Sequence, residues 1–209
     1  MKTVIWDFNG TIVDDTEVCL EIENQMLKKR GMKGDYTLEE YRDLFCFPVI
    51  EYYKKIGYTF EKETYEEVSV EFNDAYNEAF PSFRIVPGAL ELMKKAKEKG
   101  YRNVILSATR QDMLELEVKI LGVESYFDEL IGIDDDLAFS KVEHAKEWMK
   151  KSNVNPKDCM YLGDTLHDLE CAQALGIDNT ILIACGHQSY QVLKKEWDNV
   201  LHTLYEVTL

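Results

Sequence analysis

The stretch TVIWDFNGTIVDD, residues 3–15, decides the fold of this chain. It begins as a run of β-branched and aromatic residues that continues into Asp7, which is typical of a strand buried in a parallel sheet. Two positions later come Asn9 and Gly10, a pair that favours a tight turn. The stretch therefore predicts a central strand whose carboxyl end carries an acid and a polar loop.

Four further runs of the same apolar character follow along the chain. They are RNVILS (102–107), DELIGI (128–133), CMYLGD (159–164) and TILIAC (180–185). Helical periodicity precedes each of these runs, over residues 88–100, 112–122, 141–151 and 167–176. Alternating strands and helices predict an α/β fold, a Rossmann-like doubly wound parallel sheet, because right-handed crossovers cover both faces of the sheet with helices.

The first strand is not followed directly by a crossover helix and a second strand. Residues 14–82 contain four helical stretches and no comparable strand run. We expect an inserted all-helical cap domain over 14–82 and an α/β core domain made of 1–13 and 83–209. An insert at this point lies above the carboxyl ends of the strands, where α/β proteins place their ligands.

Polar side chains end three of the predicted strands, namely Asp7, Ser107 and Asp164. Capping patterns then open the next helices, with Thr109, Ser140 and Thr165 as the predicted N-cap residues and an acid three positions after each. Helix N-termini at this edge favour anions.

A cation is needed where Asp7, Asp164 and Asp168 meet, because their carboxylates repel one another. Oxygen ligands without His or Cys favour Mg²⁺ over zinc. Mg²⁺, Lys141 and the Ser107 hydroxyl together would neutralise a phosphoryl group. Asp7 would then attack phosphorus and form an aspartyl-phosphate.

The segments DFNGT, LSATR, SKVE and GDTLHD resemble, in order, the four motifs of the haloacid dehalogenase superfamily. Within it they resemble the phosphatases with a helical cap, the phosphoglycolate-phosphatase-like group. The resemblance implies an HAD-like core and a Mg²⁺-dependent phosphatase in which Asp7 is the nucleophile and a metal ligand. The other implied ligands are the main-chain carbonyl of Asn9 and the carboxylates of Asp164 and Asp168, the last directly or through water.

The resemblance also assigns the phosphate-binding residues. They are Gly10, Thr11, Ser107, Ala108 and Lys141, with Ser107 and Lys141 also counted among the catalytic residues.

Asn9 departs from this pattern, because the family usually has an aspartate there as general acid and base. An amide keeps the main-chain metal ligand but removes a proton donor worth about 10²–10⁴-fold in rate. Asn9 is compatible with a specialised phosphatase, with an engineered trap for the intermediate, and with a relative that binds a phosphorylated ligand without turnover. Acyl and aryl phosphates, whose leaving groups need little protonation, should be affected least.

Composition and charge limit the partners of the chain. The formal net charge of −15 argues against nucleic acid as a partner. No apolar run within the 209 residues approaches the length that a membrane span requires. Five cysteines without a CxxC pair indicate reduced thiols and a cytoplasmic location. We therefore expect a small phosphorylated metabolite as the partner. The sequence leaves open the identity of this metabolite and the oligomeric state of the chain.

Overall fold

A computed structural model of the chain describes residues 2–134 and 141–209. Within these residues the strands are β1 (Thr3–Trp6), β2 (Val13–Asp14), β3 (Arg84–Ile85), β4 (Arg102–Arg110), β5 (Glu129–Ile133), β6 (Cys159–Gly163), β7 (Thr180–Ile183) and β8 (Val200–Leu201). Six of them form one sheet in the order β5-β4-β1-β6-β7-β8, with every neighbouring pair parallel. The strands β2 and β3 pair separately as an antiparallel ribbon.

The helices lie between these strands along the chain. They are α1 (Thr16–Lys29), α2 (Leu38–Leu44), α3 (Val49–Lys55), α4 (Tyr65–Ala79), α5 (Ala89–Glu98), α6 (Gln111–Ile120), α7 (Lys141–Ser152), α8 (Leu166–Ala174) and α9 (Tyr190–Glu196). The predicted doubly wound parallel sheet with an inserted helical cap is thereby confirmed. Among the described helices, none combines the length and the apolar character that a bilayer crossing requires.

Strand β1 shows why its sequence is apolar without alternation. Val4 and Trp6 pack into one hydrophobic cluster with α5 and α6, whereas Ile5 packs into another with α7 and α8. All three side chains are at most 1% exposed. Because helices cover both faces, every residue of a central strand is buried, and the period-two pattern of a half-exposed strand disappears.

The inserted helices α1–α4, residues 16–79, are called the cap below. Its interior is rich in tyrosine, with Tyr41, Tyr52 and Tyr53 almost fully buried. Arg30 at the end of α1 forms ion pairs with Glu63 before α4 and Glu71 within α4. The cap thus has an interior and a peripheral ion-pair network of its own.

The β2–β3 ribbon joins the segments where the chain leaves the core and returns to it. Asp14 pairs with Arg84 and Val13 with Ile85 across the ribbon. We propose 14–82 as the cap domain and 1–13 with 83–209 as the core domain, since this ribbon lies at both junctions.

Three details differ from the sequence-based expectation. Strand β4 continues past Ser107 to Arg110, with an irregular register after Leu106, so Ser107 lies within the strand. Strand β8 and helix α9 follow the last predicted strand and were not predicted. Thirdly, the N-cap residue of α6 is Arg110 and not the predicted Thr109.

Candidate active site

Three carboxylates lie together at the carboxyl edge of the sheet. One oxygen atom from each of Asp7, Asp164 and Asp168 lies within 4.8 Å of the other two. Asp7 immediately follows β1, Asp164 immediately follows β6, and Asp168 stands in the first turn of α8. The parallel pairing of β1 with β6 brings the first two side by side, so residues 157 positions apart share one site.

Lys141 balances this cluster. Its Nζ atom donates a hydrogen bond of 2.5 Å to Oδ1 of Asp7 and one of 2.6 Å to Oδ1 of Asp168. Lys141 is the first residue of α7 and is 2% exposed. Burial lowers the pKa of Lys141, but the two carboxylates outweigh it and raise that pKa well above its usual value.

Asp168 is held by four donors. Oδ1 accepts from Lys141 and from the Tyr161 hydroxyl, at 2.6 and 3.3 Å. Oδ2 accepts from the backbone amide and the hydroxyl of Thr165, at 3.0 and 2.7 Å. This is the capping box predicted for Thr165, and it is confirmed. The capping pattern at Ser140 lies outside the described residues.

The three carboxyl groups differ in their electrostatic environments. Burial raises the pKa of Asp7 well above its usual value, and the neighbouring Asp168 adds to that rise. Burial likewise raises the pKa of Asp164 to about 6. Burial also acts on Asp168, but Lys141 outweighs it and lowers the pKa of that carboxyl. Crowded carboxylates of this kind are relieved by a bound cation.

The loop after β1 brings the backbone close to Asp164. Oδ1 of Asp164 accepts from the Thr11 hydroxyl at 3.1 Å, and Oδ2 accepts from the backbone amide of His187 at 2.6 Å. Gly10 adopts a φ of +71°, and a Cβ atom on Gly10 or Gly186 would collide with the Asp164 carboxylate. Glycine is therefore required at both positions by this close approach.

The remaining predicted phosphate-binding residues lie at different depths. Ala108 lines the cavity beside Asp7 and Lys141. Ser107 is fully buried, and its hydroxyl oxygen accepts from the amide of Thr109 at 3.0 Å. Thr11 is also fully buried, behind Asp164.

Both side-chain polar groups of Asn9 are hydrogen-bonded. Its Oδ1 accepts from the Thr109 hydroxyl at 3.0 Å. Its Nδ2 donates to Oδ2 of Asp15 at 3.0 Å and to the Tyr76 hydroxyl at 2.7 Å. Tyr76 in turn donates to the same Asp15 oxygen at 2.8 Å. The amide group of Asn9 is thus compatible with the neighbouring Asp15 carboxylate, because it donates a hydrogen bond that a second carboxylate could not donate.

Asp15 and His187 form a buried ion pair that sequence reasoning missed. Nε2 of His187 lies 3.2 Å from Oδ1 of Asp15, which also accepts from the amide of Gly10. Burial opposes the charge of His187, but Asp15 outweighs it and raises the pKa of His187 to about 9. The Tyr41 hydroxyl of the cap contacts Nδ1 of the same ring at 2.8 Å. The adjacent acids at positions 14 and 15 are visible in the sequence. Nothing in the sequence identifies His187, 172 positions later, as the partner of Asp15.

The carboxylate cluster opens into a cavity of about 230 Å³ between core and cap. Its floor carries Asp7, Asn9, Lys141 and Asp164. Its wall contains aromatic residues of the cap, namely Tyr41, Phe45, Phe47, Tyr53, Tyr65, Phe72 and Tyr76. Phe45 and Phe47 of this wall belong to the segment between α2 and α3.

Hydrogen bonds hold the cap against the core in this arrangement. Arg42 of α2 donates to the carbonyl oxygens of Cys185 and Gly186 at 2.7 and 2.8 Å. Gln188 donates to the carbonyl of Phe45 at 2.8 Å. Arg42 therefore connects α2 to the segment after β7 by hydrogen bonds. Arg42 does not line the cavity.

Comparisons with known proteins agree with this architecture. A phosphoglycolate phosphatase of Xylella fastidiosa is 26% identical over 200 residues, which cover 94% of this chain and 86% of that protein. Pyrophosphatase PpaX of Bacillus cereus is 22% identical over 188 residues, covering 84% and 80%. A haloacid dehalogenase-like protein of Streptococcus pneumoniae superposes with a TM-score of 0.80 at 17% identity, covering 99% and 96% of the two chains, and shows a shared fold.

The family model described as haloacid dehalogenase-like hydrolase matches residues 4–182. That segment runs from the second residue of β1 through the cap and into β7, and it contains the whole carboxylate cluster. The chain therefore belongs to the haloacid dehalogenase-like hydrolases.

Proposed function

We propose that the chain is a Mg²⁺-dependent phosphatase that hydrolyses the phosphate monoester of a small metabolite through an aspartyl-phosphate on Asp7. The observation that carries this proposal is the meeting of Asp7, Lys141 and Asp164 on the floor of one cavity. Relatives named phosphoglycolate phosphatase and pyrophosphatase support the same class of reaction.

The donor set fits Mg²⁺. It consists of oxygen atoms alone, and burial and mutual repulsion raise the pKa values of Asp7 and Asp164 in the absence of a cation. Asp7, Asp164 and the carbonyl of Asn9 would hold the ion. All four lone-pair positions of Asp168 are engaged by Lys141, Tyr161 and Thr165, which favours an indirect role for it through water. The ion supplies charge neutralisation for the phosphoryl group.

The first step forms a bond between a carboxylate oxygen of Asp7 and phosphorus and breaks the bond from phosphorus to the ester oxygen. Lys141 donates to Oδ1 of Asp7, while no described residue donates to Oδ2, and we assign Oδ2 as the attacking atom. Lys141 also neutralises charge that develops on the phosphoryl group. Ala108 lines the cavity beside Asp7, and its backbone amide would donate to a phosphoryl oxygen. Ser107 and Thr11 are fully buried and would support the site from behind.

The leaving oxygen needs a proton, which must come from solvent water because Asn9 has none to give. In the second step water attacks phosphorus and loses a proton to solvent, the bond from phosphorus to Asp7 breaks, and inorganic phosphate leaves. This step also lacks a base at position 9. We therefore infer slow turnover of alkyl phosphates and faster turnover of acyl phosphates, whose leaving groups need little protonation.

A second candidate function is binding of a phosphorylated ligand without turnover. The hydrogen bonds of Asn9 to Asp15, Tyr76 and Thr109 favour it, because they hold a side chain without acid–base capacity in a stable position.

A phosphate-ester panel with and without Mg²⁺ tests the two candidates. The phosphatase predicts phosphate release from acetyl phosphate that requires Mg²⁺, and thermal stabilisation by beryllofluoride, which mimics a phosphoryl group on Asp7. Stabilisation by phosphate esters without any release would favour the binding protein. Absence of both release and beryllofluoride binding would refute the phosphatase.

The metal ligands are tested by heat denaturation with added Mg²⁺. An ion at 100 times its Kd should raise the free energy of unfolding by about 2.7 kcal/mol. Asp164→Asn should remove most of this gain, whereas Asp198→Asn, at a fully exposed position, should keep it. Equal gains in the two variants would place the metal elsewhere.

A further inference from the structure

Two buried polar groups in the wall of the cavity have no use in the reaction described above. Glu117 of α6 is 2% exposed, and Ser69 of α4 is 7% exposed. Both residues line the cavity. Oε2 of Glu117 and Oγ of Ser69 have no hydrogen-bond partner among residues 2–134 and 141–209.

Such atoms are rare in folded proteins, because a buried polar group without a partner costs stability. These two unpaired atoms belong to residues that line a cavity, and a ligand bound there can supply the missing partner. Here the two groups belong to different parts of the molecule, since α6 is part of the core and α4 is part of the cap. A ligand that contacts both would bridge the two parts.

The electrostatics of the wall narrow the ligand chemistry. Burial, with a contribution from the charge of Asp15, raises the pKa of Glu117 to about 8. Near neutral pH the carboxyl group of Glu117 is therefore mostly protonated, and it can both donate and accept a hydrogen bond. A hydroxyl group of a ligand also donates and accepts, so it can form a hydrogen bond with Glu117 and with Ser69.

A second anionic group on the ligand finds no such match. Among residues 2–134 and 141–209, the cations that line the cavity are Lys141, Arg110 and His187, and each is paired with a carboxylate of the chain. A ligand carboxylate would thus be desolvated without a free cation among these described residues.

We propose that Glu117 and Ser69 form a subsite for hydroxyl groups, so that the substrate is a phosphorylated polyol or sugar and not a phosphorylated carboxylic acid. This inference rests on the proposed phosphatase function. It also separates this chain from the relatives named phosphoglycolate phosphatase, since phosphoglycolate carries the carboxylate that the subsite disfavours.

Matched ligand pairs test the subsite. Glycerol 1-phosphate and 3-phosphoglycerate differ by a hydroxymethyl group in place of a carboxylate, and so do sorbitol 6-phosphate and 6-phosphogluconate. We expect the polyol of at least one pair to have a kcat/KM roughly 10–100-fold above that of its acid, since the acid buries an unpaired charge. Acetyl phosphate, which has no hydroxyl group, measures the chemistry without the subsite.

Substitutions then connect the preference to the two residues. In Glu117→Leu the ratio of kcat/KM for the preferred polyol to that for acetyl phosphate should fall about 10-fold or more, and in Ser69→Ala about 3–10-fold. Glu117→Gln keeps a donor and an acceptor and should retain most of the ratio. Glu115→Leu, on the exposed side of α6, is the matched control and should leave the ratio at its original value.

The outcomes distinguish the subsite from the phosphatase itself. Turnover of acetyl phosphate with equal or better turnover of both acids would overturn the subsite and leave the phosphatase intact. An unchanged ratio in both Glu117→Leu and Ser69→Ala would also overturn it. If no ester is hydrolysed, the same pairs are compared by titration calorimetry, where tighter binding of the acids overturns the subsite and tighter binding of a polyol supports it.

Discussion

The floor and the wall of the cavity satisfy their polar groups in different ways. On the floor, Lys141 bonds to two carboxylates and Asn9 bonds through both of its polar atoms. On the wall, Glu117 and Ser69 each present a buried atom without a partner among the described residues. The floor is thus organised before any ligand arrives, whereas the wall is completed by the ligand.

This difference teaches where chemistry and specificity reside. A pre-organised floor suits a reaction whose charge pattern is the same for every phosphate ester. An incomplete wall suits recognition of one organic group, because the correct ligand supplies bonds that a wrong one leaves unmade. Variants of the floor should therefore affect all substrates, and variants of the wall only some.

The largest expected effect comes from the floor, with Asp7→Asn. An amide cannot attack phosphorus, so turnover of acetyl phosphate should fall by about 10⁴-fold or more. Lys141 keeps its bond to Asp168, so the fold should persist by circular dichroism. Phosphate release is the measurement, and the exposed Asp198→Asn serves as control. Residual activity within tenfold of the original would show that the nucleophile is another residue.

The exchange of Asn9 and Asp15 should have the next largest effect. In Asn9→Asp two carboxylates would meet where the Asn9 amide now lies 3.0 Å from Asp15, which raises their pKa values and weakens the fold. In the double variant Asn9→Asp with Asp15→Asn, the Tyr76 hydroxyl can accept from the new amide and donate to the new carboxylate. The double variant should therefore gain about 10²-fold or more on alkyl phosphates.

Comparison of four proteins on alkyl and acetyl phosphates measures this coupling. They are the original chain, the two single variants and the double variant. The gain should be largest in the double variant and small for acetyl phosphate, whose leaving group needs no acid. Equal gains in Asn9→Asp and the double variant would show that Asp15 does not restrain position 9.

The smallest expected effect concerns the wall and the pH dependence of stability. The pKa of Glu117 is about 8 in the folded protein against an ordinary value of 4.5. The unfolded chain releases this proton first, so the free energy of unfolding should fall as the pH rises from about 5 to 8. Glu117→Gln should reduce that slope by up to about 1 kcal/mol per pH unit.

Urea unfolding at several pH values between 5 and 8 measures the slope. Glu23, whose pKa is likewise raised to about 8 by burial, keeps a residual dependence in the variant. The exposed Glu115→Gln should retain the original slope. Identical slopes in Glu117→Gln and the original chain would show that Glu117 is ionised at neutral pH in the folded state.

The sequence alone determined the sheet, the cap and the acids of the floor. Continuous apolar runs that alternate with helical periodicity identify buried parallel strands, and residues that end such strands must meet at one edge. Asp7 and Asp164 follow from that rule without coordinates. The capping pattern located Thr165 and Asp168 because a capping box involves residues only three positions apart.

Only the tertiary structure decided the partners of Asn9 and the composition of the wall. Tyr76 lies 67 positions from Asn9 and His187 lies 172 positions from Asp15, and nothing periodic in the sequence links either pair. Glu117 and Ser69 look like ordinary polar residues on amphipathic helices until the cap folds over the core. Local patterns record which face of an element is buried, whereas the pairing of buried polar groups depends on how distant elements pack.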